Sequence, residues 1–270
     1  MHSARIAELL QPFLSPTPNP CHSEPGQRPG EEPAVLSPTQ LHHISTYIDI
    51  LLRWNARINL TAIRNPEEIV TRHFGESLFA ARHLFPKEQN REGHDLSSEP
   101  ALSKRSAPKG ADIASEKNRA SAPEGLADAR CPTAEARVAD LGSGAGFPGI
   151  PIKLWAPNIA LTLIESNHKK ASFLHEVARA LTLTDINIQN ARAETLPPST
   201  FDVVTLRAVE RFPNVLPVAA TLLAPSGRLA LLIASSQFEA TRSTLPHLTW
   251  DPPLPIPHSQ SRLLLLSRLP

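Results

Sequence analysis

Apolar positions along this chain fall into two kinds of pattern, separated by stretches with none. Leu41, Ile44, Ile48, Leu51 and Leu52 recur at intervals of three and four, the signature of one buried helix face. Ser37-Pro38-Thr39-Gln40 precedes them as a capping box with proline at the first helical position, so a helix is expected to run to about Arg57. Asn65-Pro66-Glu67-Glu68 repeats that start signal, with Ile69, Val70, Phe74 and Leu78 as the next stripe and a kink expected at Gly75. Asn59-Leu60-Thr61 is the polar turn between the two helices. Past residue 137 the period changes. Val138 to Leu141, Ala160 to Ile164, Ile186 to Ile188, Phe201 to Leu206 and Arg228 to Ile233 have the form of short buried strands. Helical segments at Ile150 to Trp155, Lys169 to Leu181 and Asn214 to Leu223 alternate with them. This order predicts an α/β fold with a doubly wound, mostly parallel sheet. Trp250 to Pro257 and Arg262 to Leu269 add a final strand pair, which puts an antiparallel strand on the sheet edge.

The patternless stretches divide the chain. Residues 12–33 hold seven prolines among Ser, Glu and Gly, a composition that cannot bury enough apolar area to offset chain entropy. Residues 87–136 contain no aromatic and no Val, with 8 basic against 9 acidic residues. Four segments follow: 1–33, largely flexible and proline-rich; 34–86, a helical extension; 87–136, a disordered low-complexity insertion; and 137–270, the sheet domain.

Composition narrows the function classes. Lys and Arg number 27 against 26 Asp and Glu, which excludes the global basicity of a histone-like nucleic-acid binder. Within residues 34–86 and 137–270 the balance is 17 basic to 13 acidic, so any nucleic-acid contact is a local patch. Cys21 and Cys131 both fall in patternless stretches, which indicates neither a disulfide framework nor a metal site. Without a membrane-length apolar run or a signal-type N-terminus, a cytoplasmic protein that does not engage membranes is expected.

The densest chemistry lies in Val138-Ala139-Asp140-Leu141-Gly142-Ser143-Gly144-Ala145-Gly146-Phe147-Pro148-Gly149, a glycine loop at the carboxyl end of the first strand of such a sheet, where ligands bind. Gly144, Gly146 and Gly149 also satisfy the dinucleotide fingerprint, so a nicotinamide or flavin enzyme is an alternative. Asp140 argues against it, because a carboxylate there repels a pyrophosphate but favours the ammonium and sulfonium of S-adenosylmethionine. Pro148 and Pro151 also remove amide donors that a pyrophosphate site uses. Glu165, ending the second strand, is placed for the ribose hydroxyls of either cofactor. Ala193 and Glu194 follow the third strand, where an amide and a carboxylate can meet an adenine edge, and Arg207 closes the fourth at the mouth of the crevice.

With these pieces in order, the chain resembles the RsmG (GidB) family of ribosomal RNA small-subunit methyltransferases. The resemblance runs through Tyr47 to Asn59 with its Leu51-Leu52-Arg53-Trp54-Asn55 core, Asn59 to Ile63, Arg72-His73 with Glu76-Ser77-Leu78, Asp140 to Pro151, Ser166 to Leu174 and Phe201 to Val209. Gly146-Phe147-Pro148-Gly149-Ile150-Pro151 is its most specific part. It implies a class I S-adenosylmethionine-dependent methyltransferase fold with a small N-terminal helical extension. The implied activity is methylation of N7 of a guanine in a loop of 16S rRNA, the guanine-527 type of target. Cofactor contacts fall, by the same implication, on Gly142, Phe147, Ala193, Glu194 and Arg207. Glu76 stands where the family usually has Asp, and Ala234-Ser235-Ser236-Gln237 where it usually has Lys-Gly.

Guanine N7 carries a free lone pair at neutral pH, so no general base is demanded, and none is assigned; His73 fits a packing role better than a catalytic one. Rate enhancement then comes from holding two reactants in line. Arg72, Lys169, Lys170, Arg207 and Arg211 are candidates for phosphate contact. The expected partner is 16S rRNA or the 30S subunit, engaged by a monomer. A non-catalytic S-adenosylmethionine- or RNA-binding ribosome assembly protein is the alternative from another class.

Overall fold

The computed structural model describes residues 1–15, 34–87, 136–208 and 212–269. Residues 16–33 of the proline-rich stretch 12–33, the insertion beyond Lys87 up to 135 and the candidate Arg211 lie outside the described residues.

Helix α1, Ser3–Leu14, occupies part of the segment expected to be flexible. Ile6, Leu10, Phe13 and Leu14 recur at helical spacing and are buried, a stripe outweighed in the sequence by the prolines that follow. Helix α2, Pro38–Asn55, starts at the expected capping box, where the Gln40 amide donates to Ser37 Oγ at 3.2 Å and the Ser37 amide to Gln40 Oε1 at 2.8 Å. It ends two residues early, because Asn55 turns the chain. Its Oδ1 accepts from the amides of Leu60 and Thr61 at 2.9 and 3.1 Å. After the short α3, Pro66–Glu68, residues Ile69–Gly75 wind as a π-helix into α4, Glu76–Leu84. Gly75 gives a close approach here: a Cβ on it would meet the Phe13 ring at 2.6 Å.

The sheet contains β1 Arg137–Leu141, β2 Ala160–Ile164, β3 Ile186–Gln189, β4 Phe201–Arg207, β5 Leu223–Ala234, β6 Thr249–Trp250, β7 Leu254–Pro255 and β8 Arg262–Arg268. Helices α5 Gly149–Trp155, α6 His168–Ala180, α7 Phe212–Thr221 and α8 Phe238–Thr244 lie between them in sequence. The order β3-β2-β1-β4-β5-β8-β6 is parallel through β5. This is the mostly parallel, doubly wound architecture expected of a class I methyltransferase. The antiparallel strand sits one place inward of the expected edge, since β8 pairs with β5 on one side and with the two-residue β6 and β7 on the other.

Strand parity decides what each side chain meets. Val138, Val203, Ala230, Leu232, Leu264 and Leu266 join the core that also holds α1, α2 and α4 to α6, whereas Ala139, Leu141, Val204, Leu206, Leu231 and Leu265 pack with α7. By the same period-two rule Asp140, Thr205, Arg207 and Arg262 belong to the face that carries the N-terminal helices. Among the described residues no helix is long and apolar enough to cross a membrane.

Candidate active site

At the carboxyl end of β1 the chain leaves the sheet through three glycines in the left-handed region, with φ of 65° at Gly142, 54° at Gly144 and 83° at Gly146. That conformation is open to glycine at little cost. Most of the loop's amides are spent within the protein. Gly142 and Ser143 donate to the Ile164 carbonyl, Gly144 to Glu165 Oε2 at 2.9 Å and Gly146 to the Ser143 carbonyl. At the start of α5 the Gly149 amide donates to Asp140 Oδ2 at 3.2 Å, Ile150 donates to the Gly146 carbonyl, and Pro151 has no N–H to give. A pyrophosphate needs a row of free amides at this place, and the loop does not offer one.

Glu165 is buried at the end of β2, with Oε2 on Gly144 and Oε1 accepting from the Asn167 amide at 2.7 Å. A carboxylate has about four acceptor positions, so capacity remains for ligand hydroxyls. Ala193 and Glu194 form a short 3-10 turn after β3, half-buried and exposed respectively. Gly142, Gly144, Gly146, Glu165, Ala193 and Glu194 thus lie on the segments that follow β1, β2 and β3 at the carboxyl edge of the sheet. Lys169 and Lys170 start α6, where the Asn167 side chain accepts from both their amides.

Three expected ligand contacts are instead placed behind that edge. Asp140 is fully buried, and its Oδ1 accepts from Thr205 Oγ1 at 2.9 Å while Oδ2 holds Gly149. Both oxygens serve the loop's anchorage, so the carboxylate does not face the crevice. Phe147 is buried in a stack of rings, with Tyr47 at 5.3 Å and 2° on one side and His73 at 4.7 Å and 20° on the other, and Phe74 edge-on. It packs the loop onto the helical extension rather than forming a free wall. Arg207 closes β4 as expected, but its Nε and Nη2 donate to Glu76 Oε2 at 3.2 and 3.0 Å and Nη2 to the Arg72 carbonyl at 2.7 Å. Parity turned it toward the extension, and only 9% of its side chain is exposed.

His73 is held well below its ordinary range, at about 3, by burial first and then by Arg207, Arg72 and Arg262. It is a neutral ring whose Nε2 meets Thr61 Oγ1 at 2.8 Å, which suits packing and not proton transfer. Burial pushes the Asp140 carboxyl up to about 7, against the hydrogen bonds from Thr205 and Gly149 that lower it. Between roughly pH 4 and 7 the folded protein then binds a proton that the unfolded chain has lost, so stability falls as pH rises through that window. Asp140→Asn should flatten this fall. Urea midpoints of both proteins from acid to neutral pH measure it, and curves that stay parallel would contradict the assignment.

Tyr47 and Glu76, to which sequence analysis assigned no site role, brace the glycine loop and Arg207, and Arg262, not singled out, meets Glu76 away from the glycine loop. Tyr47 lies on the apolar stripe of α2, and its hydroxyl donates to the Ala145 carbonyl within the glycine loop. A signal existed for each of the others. Glu76 is a charge inside a buried helical stripe, and Arg262 opens a strand of otherwise apolar residues.

A family profile described as GidB, rRNA small subunit methyltransferase G, matches residues 40–98 and 126–248. The ribosomal RNA small subunit methyltransferase G of Xylella fastidiosa (strain 9a5c) is 31% identical over 202 residues, covering 74% of this chain and 72% of that protein. Its namesake from Desulfitobacterium hafniense (strain Y51) is 33% identical over 197 residues, covering 71% and 62%. Of solved structures, a SAM-dependent methyltransferase from Aquifex aeolicus matches with a TM-score of 0.43 and 14% identity, over 50% of this chain and 82% of that one. The ribosomal protein L11 methylase of Lactobacillus delbrueckii subsp. bulgaricus matches with a TM-score of 0.44 and 20% identity, over 50% and 71%.

Proposed function

Because the chain belongs to the family of ribosomal RNA small-subunit methyltransferases G, we propose that it methylates N7 of a guanine in a loop of 16S rRNA, a target of the guanine-527 type. The methyl donor is S-adenosylmethionine. The observation that carries the cofactor assignment is the glycine loop whose amides are already spent beside a buried Glu165 with acceptor capacity to spare. Such a site lacks an anion cradle and suits a ligand with ribose hydroxyls and positive charge.

The backbone of Gly142, Gly144 and Gly146 is proposed to lie against the donor, Glu165 to accept from its ribose hydroxyls, and Ala193 with Glu194 to meet its adenine edge. When bound, S-adenosylmethionine supplies an electrophilic methyl on a sulfonium. The chain's own task is to hold the loop and exclude motion. Asp140 and Thr205 fasten the loop to β4, while Phe147, clasped between Tyr47 and His73, fastens it to the helical extension. Guanine N7 needs no deprotonation, so positioning without an acid or base fits the neutral, buried His73.

On this account residues 34–86 are a helical extension, 137–270 the methyltransferase domain, and α1 an added brace. The protein works in the cytoplasm as a monomer on 16S rRNA or the 30S subunit. Calorimetric titration separates the cofactors: S-adenosylmethionine should bind and NADH should not. Binding of NADH alone would refute the assignment.

A further inference from the structure

A cavity of about 290 Å³ lies at the carboxyl edge of the sheet, between the end of α1, the π-helical turn and the connection leading into β8. Phe13, Thr71, Arg72, Glu76, His258 and Arg262 are among its lining. Through the strand order β1-β4-β5-β8 it stands three strand spacings, roughly 14 Å, from the glycine loop.

Among the described residues, charge in its wall is unbalanced. Glu76, with 2% of its side chain exposed, is approached by Arg207 at 3.0 Å, Arg262 at 3.2 Å and Arg72 at 3.6 Å. One buried carboxylate cannot neutralise three guanidinium groups, which are always charged. Glu68 meets Arg72 at 3.6 Å, but both side chains are about half exposed, where water screens the pair. Arg207 is turned inward, so the excess faces the cavity through Arg72 and Arg262. The Nε of Arg262 is buried and out of line for a hydrogen bond to Glu76, and among the described residues nothing takes its Nη1 and Nη2. A cluster with more guanidinium donors than one carboxylate can accept, set in a concave wall, matches the geometry of a phosphate group. Thr71, Ser259, Gln260 and Ser261 add neutral polar groups around the same space.

We propose that this cavity receives a phosphodiester of the RNA substrate, with Arg262 and Arg72 donating to its oxygens and Glu76 holding the two forks in place. The proposal rests on RNA being the substrate and adds where one phosphate of it docks, away from the methyl donor.

Titration of a 16S rRNA fragment against the full chain at several salt concentrations tests it, with wild type, Arg262→Gln and Arg262→Lys compared. Arg262→Gln should weaken RNA binding roughly tenfold or more and reduce the slope of log affinity against log salt by about 0.7 to 0.9, the change for one lost phosphate contact. Affinity for S-adenosylmethionine should not change. Arg262→Lys should keep the slope while losing part of the affinity, because it retains the charge and not the fork. Arg72→Gln, at a half-exposed side chain, gives the same readout should Arg262→Gln fail to fold. Wild-type RNA affinity and slope in the glutamine variants would overturn the proposal and leave the substrate assignment standing. Absence of RNA binding by the wild type would overturn both. Thermal stabilisation by inorganic phosphate, with RNA binding untouched by the substitutions, would give the cavity to a free anion and likewise overturn it.

Discussion

Gly146→Ala is expected to destabilise the protein by about 2 to 5 kcal/mol and to abolish binding of the methyl donor. Two costs add at this position. The backbone has φ of +83°, and a Cβ would run into the Tyr47 hydroxyl, with Ile150 Cδ1 at 2.7 Å and Leu174 Cδ2 at 3.1 Å. The tyrosine cannot step aside freely, since its hydroxyl is bonded to Ala145 and its ring is stacked on Phe147. Gly144→Ala is the internal comparison. Its φ is +54°, but the nearest neighbour of a Cβ is the Gly142 carbonyl at 3.7 Å, so only the conformational cost of about 1 to 2 kcal/mol applies. Urea unfolding of both variants checks the difference, and equal losses would show that contact with Tyr47 does not set the loop.

Removal of the Glu76 carboxylate is the second large effect. Glu76→Ala should cost about 3 to 5 kcal/mol, the range for breaking a buried ion pair from one side, because it strands Arg207 and Arg262 facing each other without a counter-charge. The pair Glu76→Leu with Arg207→Leu should recover part of that loss, since it removes one of the two stranded guanidinium groups and leaves Arg262 as the other. A Glu76→Ala protein within about 0.5 kcal/mol of wild type would mean that the cluster is solvated in solution.

Most of the architecture could be foreseen because period and punctuation agree. The Ser37 capping box, the continuous apolar runs of β1, β4 and β5, and the glycine loop between β1 and α5 each specify one local answer. Helix α1 escaped notice because its stripe of Ile6, Leu10, Phe13 and Leu14 is only one helix face long and runs straight into proline. Where a kink is expected at Gly75, residues Ile69–Gly75 wind as a π-helix that brings Gly75 against the Phe13 ring.

The proposed site was legible along the chain in its placement at strand ends, but less so across it. Gly142, Gly144, Gly146 and Glu165 are local to strand ends, where position alone implies contact with a ligand. Asp140 and Phe147 flank or lie in the loop and Arg207 ends β4, yet strand parity and the aromatic stack turn them toward Thr205, Tyr47 and Glu76. Those partners lie 65, 100 and 131 residues away in sequence, beyond what spacing can report.

Incubation of the protein with 16S rRNA and methyl-labelled S-adenosylmethionine, followed by nuclease digestion and mass spectrometry, tests the central claim most directly. Label should appear as N7-methylguanosine in a single loop fragment, and the Gly146→Ala protein should leave that fragment unlabelled. Tight binding of both cofactor and RNA with no label transferred would contradict the account and mark the chain as a non-catalytic assembly protein.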